Sequence, residues 1–302
     1  MTFSRILHPV EYSDEGTQAA AQALALARAY QAELHVVRVR SRRDTTDRES
    51  AEHSRLREFV SKSNPNQATF ESAILYGDPV SAVAEYAQST APDLVVVGKT
   101  GRRGSSLWRT GVYARELASV IRCPTLVMQA GQNRTSADAQ PMFRNILCPV
   151  DSSPPAVAAL RQAVVLAQPG SRLTALHVLD GFLQEAVPSA SGAFALLEEH
   201  LDDLDSRDIQ TLIVSGVPHE AILSTAMEVK PDLIVIGLPI RGRFDAVFMR
   251  STGASVIRHA NCAVLMVPDT DTIELTTTAP TVQWTEACRK TDHLRVVGSR
   301  HT

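Results

Sequence analysis

Phe3-Ser-Arg-Ile-Leu-His-Pro-Val-Glu-Tyr-Ser13 returns 140 residues later as Phe143-Arg-Asn-Ile-Leu-Cys-Pro-Val-Asp-Ser-Ser153. Each stretch is a short apolar run that stops at an acid and a serine. That is the pattern of a buried strand running into a helix cap. Working outward, four more blocks recur in the same order. Leu34-His35-Val36 matches Leu176-His177-Val178 at an offset of 142. Gly77-Asp78-Pro79 matches Gly216-Val217-Pro218, and Pro92-Asp-Leu-Val-Val-Val-Gly98 matches Pro231-Asp-Leu-Ile-Val-Ile-Gly237, both at 139. Arg122-Cys123 before a Leu-Val-Met run matches Asn261-Cys262 before Val-Leu-Met-Val, again at 139. Five blocks in one order, drifting by three residues, read as a duplicated domain.

Each copy alternates strand and helix signals. In copy one, strands are predicted over Ile6–Val10, Leu34–Val39, Phe70–Leu75, Leu94–Val97 and Thr125–Gln129. Helices are predicted over Gln18–Tyr30, Arg48–Ser61, Pro79–Gln88 and Val112–Ile121. Ser13 caps the first helix and Pro79 opens the third, where its missing N–H costs nothing. Copy two repeats the series, with Ser153 as cap and Pro154 in the first helical turn. Strands spaced by helices give an α/β fold: two tandem doubly wound parallel sheets of Rossmann-like type, each with a crevice at the carboxyl ends of its strands. The domains are predicted over residues 1–130 and 142–268, with a polar linker at 131–141 and a C-terminal tail at 269–302. The sequence leaves open whether that tail is disordered, packs on a partner or forms a strand through Val296-Val297.

The chain has 302 residues, of which 44% are hydrophobic, which excludes a mostly disordered protein. A net charge of -3 gives no basic field for nucleic acid. No apolar run approaches the roughly 18 residues that span a bilayer, and Met1 to Val10 lacks the long apolar core of a signal peptide. A cytoplasmic location is the default expectation. Cys123, Cys148, Cys262 and Cys288 have no metal-ligand or redox spacing and read as buried free thiols. His8, His35 and His177 lie in or beside strands with no nucleophile elbow to serve, so they read as satisfied core residues. Gly98-Lys99-Thr100 ends like a Walker A loop, but Asp93 stands where that loop needs its first glycine. Arg38–Arg43 and Arg102–Arg103 read as solvated loops.

The strand-one block, the Gly-x-Pro, the Cys-Pro before strand five, and Gly98-Lys-Thr-Gly101 followed by nine residues and then Gly111 together resemble the universal stress protein family. The resemblance covers both copies and leaves out only the linker and tail. It implies proteins that often bind ATP, act as stress-responsive regulators and form dimers, without a robust enzymatic reaction. In copy one it implies that Glu11, at the end of the Pro9-Val10 strand, meets the adenine. Val36 would line the base pocket, with Val97 and Gly98 under the ribose. Gly101 and Gly111 would let backbone N–H groups approach phosphate, with magnesium as an optional companion. The helix beginning near Val112 would aim its N-terminus at the phosphates, and Lys99, Arg102 and Arg103 would add positive charge.

Copy one departs from the family pattern at Val112, where a Ser or Thr hydroxyl is usual. One phosphate contact, about 1 kcal/mol, is lost there. The next residue, Tyr113, either replaces that contact or obstructs the crevice. In copy two Asp151, Val178, Gly237 and Ser251 fit the pattern, but Ile240 and Arg250 stand at the second and third glycines. Copy two therefore reads as a degenerate site. Three functions follow: a nucleotide-sensing stress protein, a nucleotide-independent interaction protein, and a nucleotide hydrolase. The hydrolase lacks any matched acid–base pair or metal cluster in the sequence. The duplication itself predicts intramolecular pairing of the two copies, and strand five of each, Thr125–Gln129 and Ala263–Val267, is open to edge pairing between copies or between chains, with a further homodimer and an unidentified protein partner as extensions.

Overall fold

The computed structural model of the protein describes residues 3–41, 49–63, 69–99, 112–129, 143–151, 153–167, 170–179, 209–239, 252–269 and 299–301. Copy one runs β1 (Arg5–Pro9), α1 (Asp14–Tyr30), β2 (Glu33–Arg40), α2 (Glu49–Lys62), β3 (Phe70–Tyr76), α3 (Pro79–Thr90), β4 (Leu94–Gly98), α4 (Val112–Ile121) and β5 (Thr125–Met128). Copy two runs β6 (Asn145–Pro149), α5 (Pro154–Leu166), β7 (Arg172–Leu179), β8 (Ile209–Ser215), α6 (Pro218–Val229), β9 (Leu233–Leu238), α7 (Thr252–His259) and β10 (Ala263–Pro268). A last short strand, β11 (Ser299–His301), lies antiparallel on β3. Val296-Val297, the strand considered for the tail, falls outside the described residues, as do the linker and the second helix expected of copy two.

All strands join one sheet in the order β11-β3-β2-β1-β4-β5-β10-β9-β6-β7-β8. Within each copy the pairs are parallel, in the doubly wound order with a switch point beside the first strand. The copies meet where β5 pairs antiparallel with β10, with Val127 opposite Val264 and Leu126 opposite Leu265. This is the pairing between copies that the sequence allowed. All four of those side chains are buried, and Gln129 adds an Nε2–H bond of 3.4 Å to the Ile257 carbonyl across the junction. Separating the copies would leave two strand edges with unpaired N–H and C=O groups.

Strand residues alternate between two cores, as a sheet covered on both faces requires. Ile6, Val36, Val96, Cys148 and Leu265 face α1, α2 and α5. Leu7, Val37, Val97, Leu147 and Val264 face α3, α4, α6 and α7.

The repeated Pro-Asp-Leu block has a structural reason. The Asp93 carboxylate accepts from Ser4 N–H at 2.6 Å and Arg5 N–H at 3.1 Å. Asp232 does the same for Arg144 N–H at 2.9 Å and Asn145 N–H at 3.2 Å. In each copy this aspartate, just ahead of strand four, pins the start of strand one.

The structure corrects one block of the repeat. Pro9 pairs with Val37, whereas Pro149 pairs with Leu176. The equivalent of Leu176-His177-Val178 is therefore Val37-Arg38-Val39, at the same 139-residue offset as the later blocks. The Leu-His-Val match is a coincidence three residues out of register. Ser153 corrects a second expectation. It occupies the N-cap of α5 but makes no side-chain cap bond, because its hydroxyl donates to Asp151 Oδ1 instead.

Candidate functional site

At the carboxyl ends of β1 to β4 the chain of copy one turns tightly into α1. Ser13 N–H donates to the Glu11 carbonyl at 2.9 Å, and the Ser13 hydroxyl caps Gly16 N–H at 3.0 Å. The winding brings Gly16 against Glu11 so closely that a Cβ on Gly16 would stand 1.9 Å from the Glu11 carbonyl oxygen. Only glycine allows that approach. The result is a Glu11 that is 8% exposed, unusual for a carboxylate at a strand end.

Three other groups border the same space. Arg38, on β2, donates from Nη1 to the Val10 carbonyl at 3.2 Å. Its Nε lies 3.6 Å from Glu52 Oε1, and its guanidinium lies 4.8 Å over the Tyr12 ring. Tyr12 in turn donates to Glu52 at 3.0 Å and is covered on its other contact by Arg55, at 4.5 Å. Asp78 caps α3 by accepting from Ser81 N–H and Ser81 Oγ, both at 3.0 Å. Tyr113, in the first turn of α4, is 5% exposed and belongs to the core cluster of Val37 and Val97. Burial raises its phenol pKa, and the charges of Glu11 and Asp78 raise it further against an opposing effect of Arg38. Tyr113 is therefore a neutral hydroxyl at any ordinary pH.

Copy two is built differently at the same point. Ala156 stands where copy one has Gly16, so the close approach to the preceding carbonyl is forbidden. Asp151 is exposed, and its Oδ1 accepts from Ser153 N–H at 3.0 Å. Gly237, at the end of β9, lies directly under the start of α5. A Cβ there would stand 2.4 Å from the Pro155 carbonyl carbon and oxygen. Backbone packing by itself requires that glycine, and the space above it is filled by the helix start. Ile240, Arg250 and Ser251, the other copy-two positions of the family pattern, lie outside the described residues.

Of the residues singled out in the sequence, the structure gathers Pro9, Val10, Glu11, Val97, Gly98 and Tyr113 at one end of copy one. Val36 is not among them, because it is buried in the core facing α1 and α2. Val178 packs toward the opposite core, and the copy-one residue that shares its place is Val39. Gly101, Arg102, Gly111 and Ser251, with Ile240 and Arg250, lie outside the described residues, and Val112 is described only as the first residue of α4.

The reading of Arg38–Arg43 as a solvated loop is wrong for Arg38, which lies on β2 with a partly buried side chain. The out-of-register block hid that Arg38 and His177 are equivalent and do the same work. His177 Nδ1 lies 2.9 Å from the Val150 carbonyl, matching Arg38 on Val10. The signal was available, since an offset of 139 aligns the strand without an insertion.

The histidines and thiols are core groups. His8 Nδ1 bonds the Val96 carbonyl at 2.8 Å, and burial lowers its pKa to about 4. His35 lies 2.8 Å from the Tyr86 hydroxyl and 3.2 Å from Glu33. His35, Glu33 and Glu71 make a group of ligand-type atoms within 4.8 Å of one another, with His35 Nδ1 set against the Tyr86 hydroxyl. Cys123, Cys148 and Cys262 are buried and free, and Cys288 lies outside the described residues. Among the described residues no helix is long and apolar enough to cross a membrane.

Taken together, these features define a protein of two doubly wound α/β domains fused through their fifth strands, with unequal crevices. The universal stress protein family model matches residues 2–129 and 142–268, and the chain belongs to that family. A universal stress protein of Thermus aquaticus is 31% identical over 141 residues, covering 42% of this chain and 99% of its own. One from Methanocaldococcus jannaschii is 25% identical over 150 residues, 45% of this chain and 88% of its own. Among solved structures, a universal stress protein from Archaeoglobus fulgidus covers 88% of this chain and 98% of its own, with a TM-score of 0.64 at 18% identity. A second, from Pseudomonas aeruginosa, covers 88% and 94% with a TM-score of 0.62 at 17% identity. At these identities the structures establish the shared tandem fold.

Proposed function

We propose that this chain is a cytoplasmic stress-response regulator that binds an adenine nucleotide, ATP with or without magnesium, in copy one only. The observation that carries the reading is the contrast between the two strand-one acids. Glu11 is held inside the crevice, and Asp151 is exposed and bound within its own turn. A buried carboxylate beside a phenol and a guanidinium offers an acceptor and donors to the polar edge of a base. The carboxyl end of a doubly wound sheet, at its switch point, is where such ligands lie.

Calorimetric titration of the intact protein with ATP and magnesium tests this. One equivalent is expected to bind, with binding lost in Glu11→Ala and unchanged in Asp151→Ala. Absence of heat up to millimolar ATP, in the native protein and in a variant with the Tyr113 ring removed, overturns it.

A second reading, a nucleotide-independent interaction protein, draws support from Tyr113, which is 5% exposed and belongs to a core cluster. Its expected outcome in the same titration is silence in every variant.

A further inference from the structure

We propose that the Tyr113 ring fills the base position of the copy-one crevice, so that nucleotide enters only when the ring swings out. This inference rests on the reading of copy one as a nucleotide site. Tyr113 is the second residue of α4, directly after the segment that leaves β4 at its carboxyl end. A side chain at the mouth of a crevice is ordinarily open to solvent, yet Tyr113 is 5% exposed. It belongs to the same buried cluster as Val37 of β2 and Val97 of β4. Glu11 from β1, Arg38 from β2 and Asp78 from the start of α3 all lie close enough for their charges to act on the phenol. A flat aromatic ring with a polar edge, within reach of the charges of two acids and a guanidinium, has the recognition features of a base.

Copy two offers the internal control. Its residue at this position is Thr252, which is half-buried and cannot fill such a space. Copy two, with α5 packed onto Gly237, needs no plug. Copy one, with an acid kept inside, has one. The apparent affinity of a ligand for a self-occluded site falls by the fraction of molecules whose ring is out. Tyr113 thus sets the affinity of copy one, and anything that draws the start of α4 outward raises it.

The test is the titration of ATP with magnesium into native protein, Tyr113→Thr and Tyr113→Phe. Tyr113→Thr is expected to bind at least tenfold more tightly than native protein, and Tyr113→Phe, which keeps the ring, within threefold of it. A native protein that binds while Tyr113→Thr binds equally or more weakly overturns the plug and leaves the nucleotide reading standing. Silence in all three overturns the nucleotide reading and the plug with it. If Tyr113→Thr does not fold, hydrogen exchange on the native protein decides. ATP is expected to speed amide exchange over Tyr113–Leu117 as the ring leaves its place, and slowed exchange there counts against the proposal.

Discussion

Copy one and copy two keep the same half-sheet, β3-β2-β1-β4-β5 against β8-β7-β6-β9-β10, and part company where strand one hands over to the first helix. The groups that build the sheet are retained in both: the aspartate clamp of Asp93 and Asp232, and the apolar fifth strands that join the copies. The groups that differ sit on or under the crevice: Gly16 against Ala156, Tyr113 against Thr252, His8 against Cys148.

The largest test of this comparison is an exchange at the handover. In Gly16→Ala the new Cβ meets a backbone oxygen at 1.9 Å, and a backbone atom cannot rotate away as a flexible side chain does. A loss of about 3 kcal/mol in urea unfolding is expected, as for an overpacked core site, with Glu11 released toward solvent. The reverse change, Ala156→Gly, relieves nothing and costs about 1 kcal/mol of helix propensity plus about 1 kcal/mol for the lost burial of its methyl. Equal losses in the two variants would mean that Gly16 and Ala156 do not set the different positions of the two acids.

The next effect is a pH dependence carried by His8, whose copy-two counterpart is Cys148. His8 is buried and its Nε2 has no hydrogen-bond partner among the described residues, so desolvation lowers its pKa to about 4 from an ordinary 6.5. The unfolded chain takes up a proton below pH 6.5 while the folded chain does not until about pH 4. Stability from this group is therefore intact above pH 6.5 and lost as pH falls toward 4, by on the order of 3 kcal/mol. Cys148, on the same core face in copy two, has its thiol pKa pushed up by burial and stays neutral across that range. His8→Cys should flatten the unfolding free energy between pH 6.5 and 4 relative to native protein. A native-like slope in that variant would assign the acid sensitivity to other groups.

The comparison also shows what the sequence could convey. Strand and helix order were legible because apolar runs, Pro79 at a first helical turn and the Ser13 cap each act through their immediate neighbours. The duplication was legible because the blocks repeat. The register of β2 was not, since Leu34-His35-Val36 and Leu176-His177-Val178 are locally identical and only strand pairing separates them. At the site, Glu11 and Tyr113 could be named from their positions beside the motifs. Their burial depends on a non-local contact, Gly16 on a carbonyl five residues back and Tyr113 on three other elements, which no residue type announces. The place of Arg38 was hidden for the same reason as the register.

The smallest effect concerns how α3 and its copy-two counterpart α6 end. α3 and α6 both stop on a left-handed residue that is not glycine, Ala91 at φ 44° and Lys230 at φ 48°. Each donates its N–H to the carbonyl four residues back, Ala87 and Ala226. A Cβ in this conformation is strained, and glycine is the usual helix-ending residue for that reason. Ala91→Gly is expected to stabilise by about 0.5 kcal/mol, the strain relief exceeding the extra entropy glycine gives the unfolded chain. Lys230→Gly relieves the same strain but removes a cation from a helix C-terminus, where it gains roughly 0.3–1 kcal/mol from the exposed carbonyls. Its net effect should be near zero in low salt and should turn favourable as salt screens that attraction. Thermal melts of the two variants at low and high ionic strength separate the terms. If Lys230→Gly stabilises as much as Ala91→Gly without salt, the lysine does nothing for its helix, and α3 and α6 both end by backbone geometry alone.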